Sequence, residues 1–301
     1  MTIPQQFHRA YVLSFLKPSM VDQKIRPPEG ERLYQIFATL EMPAGDRQDI
    51  LHTAIFEPHQ ILEAEIPDEL LTNDEIRMSL AKEGVAHLDT SKDTSEIVKI
   101  HEFLTSLAVR QEQIAFLQEW VRWENRLLEK IGAKDTELAD EDNPSELLAR
   151  ATAVGVPLAS LYFAGSVGFS AVGLTSGLAT LGTISGLTLL GLNPMTAGIA
   201  ALIVVGISVK KVCDVAFGSG RTKREQKRLQ EEIERLSKLR GRARTYATED
   251  LESLKGGGIL EQFSVKGRLR RDAQDLVTHV ISALGESFSN PISAATKQSL
   301  S

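Results

Sequence analysis

Two Asp–Glu pairs with the same spacing are the residues of this chain best placed for chemistry. Asp22 is followed by Glu29, and Asp89 by Glu96, with an offset of 67 residues between the two copies. In each copy an apolar segment ends at the Asp, and the Glu falls in the first turn of the next predicted helix. A carboxylate there interacts favourably with the positive end of the helix dipole. Each pair therefore has a structural explanation as a turn with a helix cap, and Asp93 is the predicted N-cap of the second copy.

The remaining candidates for catalysis do not form a recognisable set. The chain contains no HExxH, CxxC, GxSxG or Walker-type motif, so the known routes to metal-assisted, nucleophilic or phosphate chemistry lack their residues. Gly256-Gly257-Gly258 is not followed by Lys-Ser or preceded by a strand pattern, so it indicates a hinge. We predict a protein that is not an enzyme.

The sequence pattern predicts that helices flank the two Asp–Glu pairs. Apolar residues recur at intervals of three and four on either side of them, as on the buried face of a helix; the clearest stripes are Leu33, Ile36, Phe37, Leu40 and Ile114, Leu117, Trp120, Val121, Trp123, Leu127. The pattern predicts an all-α domain of six to eight helices over residues 1–131, built as an internal pseudo-repeat.

Two segments of this domain resemble the TerB-like (tellurite-resistance type) family. "VDQKIRPPEGERLYQIFATLEMP" is similar to the first half of that domain and "LDTSKDTSEIVKIHEFLTSLAV" to the second, so that the resemblance covers roughly residues 8–131. The chain departs from the family pattern at Gln23, where the family usually has Gly, and in the longer, acidic segment 57–74.

The resemblance implies a cytoplasmic helical module that is often attached to membrane or stress-response systems. Its acidic residues would bind a divalent cation, and carried over by position these are Asp22, Glu29, Asp89 and Glu96. Carboxylate oxygens suit a hard ion such as Ca²⁺ or Mg²⁺. Helix capping and cation binding both remain open for these four side chains.

A long uncharged run separates the two ends of the chain. Residues 151–209 contain no Asp, Glu, Lys, Arg or His, which is enough for two membrane-crossing helices. Asn193-Pro194 predicts the start of the second helix, and Lys210-Lys211 closes the run. Small residues that favour close helix contact in lipid lie at Gly173, Gly177, Gly182 and Gly186. We therefore predict a Gly-rich transmembrane hairpin over 151–217; the alternatives are a hairpin buried in a soluble protein, or one stored and later inserted as a pore.

Charge is distributed unequally along the chain. Residues 1–150 have 16 basic and 28 acidic residues, a net charge of −12, whereas residues 210–301 have 18 and 12, a net charge of +6. The single cysteine, Cys213, fits a reducing compartment, and the N-terminal residues show no signal-peptide pattern. These features predict soluble parts that face the cytosol, with a cytoplasmic protein as the alternative.

The segments outside the hairpin complete the predicted organisation. Residues 132–150 indicate an acidic linker and a short helix over Glu146–Arg150, for which Asn143-Pro144-Ser145 is the start signal. Residues 287–301 indicate a disordered tail. Residues 218–286 indicate a basic, coiled-coil-like helix and a second amphipathic helix. The basic helix can pack on another helix of the same protein or approach anionic lipid; nucleic-acid binding is not expected, because no aromatic residues interleave with the charges.

Together these features predict a membrane-associated, non-enzymatic sensor, adaptor or effector, with stress response or phage defence as the expected setting. The alternative is an α-helical pore-forming protein. The expected partners are the lipid bilayer and a homo-oligomer or a partner membrane protein.

Overall fold

A computed structural model describes residues 3–91, 93–132, 144–157, 160–161, 223–256 and 267–286. In these residues all regular secondary structure is helical, which confirms the predicted all-α class. Two short 3₁₀ helices, Gln5–Phe7 and Lys17–Met20, accompany eleven α-helices. In chain order the α-helices are α1 His8–Leu16, α2 Pro27–Thr39, α3 Ala44–Phe56, α4 Pro58–Glu63, α5 Asp68–Leu71, α6 Asp74–Thr90, α7 Thr94–Ser106, α8 Gln111–Gly132, α9 Pro144–Ala153, α10 Lys223–Gly256 and α11 Gly267–Glu286.

Several helices begin at the capping residues that the sequence contains. The Asp93 side chain accepts a hydrogen bond from Ser95 N at 2.7 Å, which confirms its prediction as the N-cap of α7. Asn73 caps α6 in the same way, because its Oδ1 accepts from Glu75 N at 3.0 Å and from Ile76 N at 3.1 Å. These bonds satisfy backbone N–H groups that have no partner within the helix.

Helix α6 forms the centre of the N-terminal domain. It packs against α7 and α8 and also contacts α1, α5 and the 3₁₀ helix Lys17–Met20. Its residues from Met78 to Ala86 are buried, because neighbours cover it on several sides. The core around it is filled by large side chains that include Tyr11, Leu16, Phe116 and Trp120.

The two C-terminal helices pack on this domain rather than apart from it. Helices α10 and α11 pack against each other, and both contact α2 and α3. Their buried side chains are mostly small or aliphatic: Ala243, Ala247, Leu251, Leu254, Ala273, Leu276, Val277, Val280 and Leu284. Of the readings left open for this part of the chain, the structure shows packing on other helices of the same protein over residues 243–254 and 273–284. The coiled-coil character of the first half of α10 remains a prediction.

The prediction of a transmembrane helical hairpin is wrong: in the described part of the chain, no helix is long and apolar enough to cross a membrane. The start of the uncharged run belongs to the N-terminal domain instead. Helix α9 ends at Ala153, the chain turns at Gly155 with a φ of 70°, and Val156 and Leu161 are buried in the helical core. Apolar residues in a protein core give the same hydropathy signal as a membrane span, and the described residues at the start of the run are of the first kind.

The other residues that supported the hairpin lie outside the described part of the chain. These are Gly173, Gly177, Gly182, Gly186, Asn193, Pro194, Lys210 and Lys211. The predicted tail over 287–301 also lies outside it. A transmembrane anchor or pore therefore has no support in the described residues.

Candidate functional site: two buried ion pairs on opposite sides of helix α2

Asp22 and Glu29, the first sequence-predicted pair, lie at the start of α2 and bind Arg26. Asp22 accepts hydrogen bonds from Lys24 N at 3.1 Å and from the Arg26 guanidinium. Glu29 accepts from the backbone N–H of Arg26 at 2.9 Å, as an N3 carboxylate does in a capping arrangement. Both carboxylates thus stabilise the turn that leads into α2.

Asp89 and Glu96 have different partners. Asp89 lies near the end of α6 and receives two hydrogen bonds from Arg122 of α8, at 3.0 and 3.1 Å. The hydrogen bond with Asp89, together with its negative charge, raises the pKa of the Arg122 guanidinium. Glu96 accepts from the Ser91 hydroxyl at 2.5 Å. Among the described residues, no group of three or more His, Cys, Asp or Glu side chains is arranged to hold a metal ion.

Gln23 adopts a backbone conformation that favours glycine. Its φ is 60°, in the left-handed region that costs a residue with a Cβ about 1–2 kcal/mol. This is the position at which the TerB-like family usually has Gly. The turn therefore has the backbone shape that the family residue would suit.

A buried charged cluster lies beside this turn, between α2 and α6. Arg32 of α2 donates to a carboxylate oxygen of Glu83, and the other oxygen of Glu83 lies 3.1 Å from Nε2 of His87. The Glu83 side chain is 1% exposed and that of His87 is 19% exposed. Because a carboxylate only accepts hydrogen bonds, Nε2 of His87 carries the proton that it donates.

Burial controls the protonation of this cluster. It lowers the pKa of Arg32 to about 10, a shift that the negative charge of Glu29 opposes. It also lowers the pKa of His87 to about 4, with the positive charge of Arg32 as the next cause. His87 is therefore neutral at pH 7 and resists protonation as long as α2 and α6 stay packed.

Sequence reasoning missed Arg32 and Glu83, although a signal for Glu83 exists. Lys82-Glu83 interrupts an otherwise apolar stretch of α6, and Glu83 lies four residues before His87, on the same helix face. Its neighbour Lys82 is also buried and donates to Leu161 O at 2.6 Å. Charges inside an apolar helical run indicate buried pairs, because an unpaired buried charge is very unfavourable.

A second buried ion pair joins α3 to α10. Arg47 donates to Asp250 through Nε at 3.2 Å and through Nη2 at 3.1 Å. The exposed fractions of the two side chains are 2% and 0%. Nη2 also reaches Glu249 at 2.9 Å and Nη1 reaches Met42 O at 3.0 Å, while the guanidinium stacks 3.9 Å from the centre of the Tyr246 ring. The guanidinium is thus held on several sides at once.

Burial raises the pKa of Asp250, and the bonds from Arg47 oppose that shift. Burial, followed by the charge of Asp250, raises the pKa of the nearby Tyr34 hydroxyl. A shallow, mostly apolar depression lies beside Asp250 and is lined by Gln48, Leu51, His52, Ile55, Phe56 and Leu254. The docking of the C-terminal helices is therefore centred on charge as well as on apolar contact.

No family model matches the chain, and searches of curated proteins and of solved structures found no significant match. The resemblance to TerB-like domains thus remains a prediction.

Proposed function

We propose that this protein is a non-enzymatic sensor or adaptor whose output element is its C-terminal helical pair, α10 and α11. In the resting state the pair is docked on α2 and α3, and in the active state it is released so that both surfaces can meet a partner. The observation that carries this proposal is the ion pair between Arg47 and Asp250, which joins segments 203 residues apart.

The chemistry of that pair supports a reversible contact. A buried ion pair adds little net stability over apolar packing, because desolvation offsets most of the attraction, but it specifies one arrangement strongly. Losing either partner leaves an uncompensated charge, so a modest perturbation can shift the docked population. Arg242 adds a weaker contact at the rim, where it donates to Glu41 at 2.6 Å and to Ala38 O at 3.2 Å.

The pseudo-repeat and the TerB-like relationship belong to the same proposal. In both copies an Asp precedes a helix whose first turn contains a Glu, namely Glu29 in α2 and Glu96 in α7. The left-handed backbone at Gln23 supports the relationship at the position where the family usually has Gly. On this proposal the N-terminal domain is the sensing module.

Hydrogen–deuterium exchange on the full chain tests the proposal through Asp250→Arg. This change places a cation against Arg47 in a buried contact, so peptides within 243–254 and 273–284 are expected to exchange much faster, while α6 and α8 keep their protection. Glu252→Arg is the matched control, because Glu252 is exposed two residues later on the same helix. A docked pair in Asp250→Arg, or loss of protection throughout the protein, would contradict the proposal.

A further inference from the structure

Helix α10 is longer than the surface that docks it. The polar contacts that hold it on the N-terminal domain lie in its second half, where Arg242 donates to Ala38 O and Asp250 pairs with Arg47. In the other direction the helix continues from Arg242 back to Lys223, a length of about 28 Å at 1.5 Å per residue. About half of α10 therefore extends beyond these contacts.

Residues 223–240, the basic segment of α10, have the composition of a helix that packs on a partner. They include seven basic and four acidic residues, and apolar residues recur at Leu229, Ile233 and Leu236. These spacings place the three on one face of a helix. The buried Ala243 lies seven residues beyond Leu236, so the stripe continues the face by which α10 packs. A helix of this length has little stability of its own in water, and an apolar surface over the stripe would stabilise it.

The depression beside Asp250 is such a surface. Apolar side chains of α3 and Leu254 of α10 line it, and among them Ile55 and Phe56 are partly exposed. The chain runs from Phe56 directly into residues 57–69, which contain five acidic residues and no Lys or Arg. Four of these acidic residues are exposed: Glu63, Glu65, Asp68 and Glu69. The depression and the acidic surface next to it thus complement the apolar stripe and the positive charge of the basic segment.

The basic segment cannot occupy the depression of its own chain. Helix α10 is continuous from Lys223 to Gly256, so Ile233 lies about 30 Å along the helix from Leu254 at the edge of the depression. A second copy of the chain has no such restriction. When a twofold axis relates two copies with antiparallel α10 helices, each basic segment meets the depression of the other, and the contact closes as a dimer.

We propose that the protein forms a dimer in which the basic segment of each copy docks in the depression beside Asp250 of the other. Recognition is that of an amphipathic helix in an apolar groove: the stripe supplies the apolar contact, and the surrounding charges orient the helix. The dimer belongs to the docked state, because α3 and α10 together form the depression. It does not depend on release of the α10–α11 pair.

Light scattering coupled to size-exclusion chromatography of the full chain tests this inference. The wild type is expected at twice the chain mass of 33.1 kDa, with association that weakens as the salt concentration rises. Ile233→Gln removes an apolar side chain from the stripe, and Ile55→Lys places a cation in the depression. Each should raise the dissociation constant of the dimer by at least about tenfold, because both contacts of a symmetric dimer are changed.

Each variant has a matched control. Glu234→Gln changes the next position of the helix, which lies off the apolar stripe, and should dimerise at least as tightly as the wild type. Val98→Lys adds a cation at an exposed apolar residue of α7 and should leave the dimer unchanged. If circular dichroism shows that Ile55→Lys does not fold, Gln48→Lys repeats the test at another partly exposed position of the depression.

A mixture of the two variants separates the proposed contact from other modes of association. The intact basic segment of Ile55→Lys can dock in the intact depression of Ile233→Gln, so the mixture should associate more tightly than either variant alone. A mixture that associates no better than its components would overturn the inference. A dimeric Ile55→Lys beside a monomeric Ile233→Gln would also overturn it, because two basic segments would then pair with each other. So would a monomeric wild type, and its binding to vesicles of anionic phospholipid would assign the basic segment to a lipid surface.

Discussion

The Arg47 guanidinium of α3 and the Asp250 carboxylate of α10 meet through two hydrogen bonds, 3.2 and 3.1 Å long, although 203 residues separate them. This contact positions the C-terminal helices on the N-terminal domain. It is also the place where a single substitution should have its largest effect on docking.

Arg47→Met should lower the free energy of unfolding by about 3–5 kcal/mol, because it leaves the Asp250 carboxylate buried without its cation. Asp250→Leu should cost less, since the guanidinium keeps its bonds to Glu249 and Met42 O. The double variant Arg47→Met/Asp250→Leu should recover most of the loss, as two apolar side chains can pack in the same space. Urea denaturation of the four proteins measures the coupling, and additive losses would show that the two residues act independently.

Gly30→Leu should weaken the contact of α2 with α11. The added side chain would enter space held by Val280 and Leu276, and overpacking of this kind costs about 1–3 kcal/mol. Gly241→Leu is the matched control, because nothing lies within 4 Å of a Cβ at this position of α10. Removing that helical glycine should raise the free energy of unfolding by up to about 1 kcal/mol. Equal changes in the unfolding midpoint of the two variants would argue against close packing of α2 on α11 at Gly30.

The stability of the wild type should fall by about 2 kcal/mol between pH 7 and pH 5 through His87 alone. Its pKa is lowered to about 4 in the folded protein, so the unfolded chain binds the proton more tightly and acid favours unfolding. The difference between wild type and His87→Gln in urea denaturation isolates this contribution, because other groups titrate in both proteins. A difference that does not change with pH would show that the ring is already accessible in the folded state.

Ala108→Gly should stabilise the protein by about 0.5–1 kcal/mol. Ala108 follows α7 with a φ of 50°, a conformation that glycine adopts without the strain that Cβ causes. Ala149→Gly, on the exposed face of α9, should instead cost about 1 kcal/mol, as it removes a good helix former from a helix interior. The prediction fails if both substitutions change the unfolding midpoint in the same direction.

The thermal unfolding midpoint should be the same in millimolar Ca²⁺ or Mg²⁺ as in the presence of a chelator. Asp22, Glu29, Asp89 and Glu96 are engaged with Arg26, Arg122 and Ser91, so a cation would have to displace those bonds. A rise in midpoint that is lost in the double variant Asp22→Asn/Glu29→Gln would instead establish a cation site at the start of α2.

Local features of the sequence anticipated much of the N-terminal domain. Periodicity indicated helices, and the eight α-helices described over residues 8–132 agree with the predicted six to eight. The Asp93 cap is also observed, because capping depends on residues close together in the chain. The short helix predicted over Glu146–Arg150 lies within the longer α9, Pro144–Ala153. The uncharged run led to the wrong prediction of a membrane hairpin, because its environment depends on residues far away in the chain. Hydropathy shows that the run is apolar, but it does not distinguish a protein core from lipid.

The candidate sites were less accessible to such reasoning. The sequence pointed to four carboxylates near helix starts, and the structure shows two of them, Asp22 and Glu29, as electrostatic neighbours of His87. The sequence did not indicate that Arg32 and Glu83 would form an ion pair, since 51 residues separate them. Which helices pack together depends on the fit of their buried faces, and a single sequence does not show that fit.

The order of side chains along the chain was therefore sufficient for the helical class and for the cap of α7, since these depend on spacings of three to four residues and on an adjacent capping residue. Tertiary packing alone brought Arg47 to Asp250 and Arg32 to Glu83. Buried charges must find partners wherever the fold places them, and here both pairs border α2, the helix that lies between the N-terminal core and the C-terminal helices.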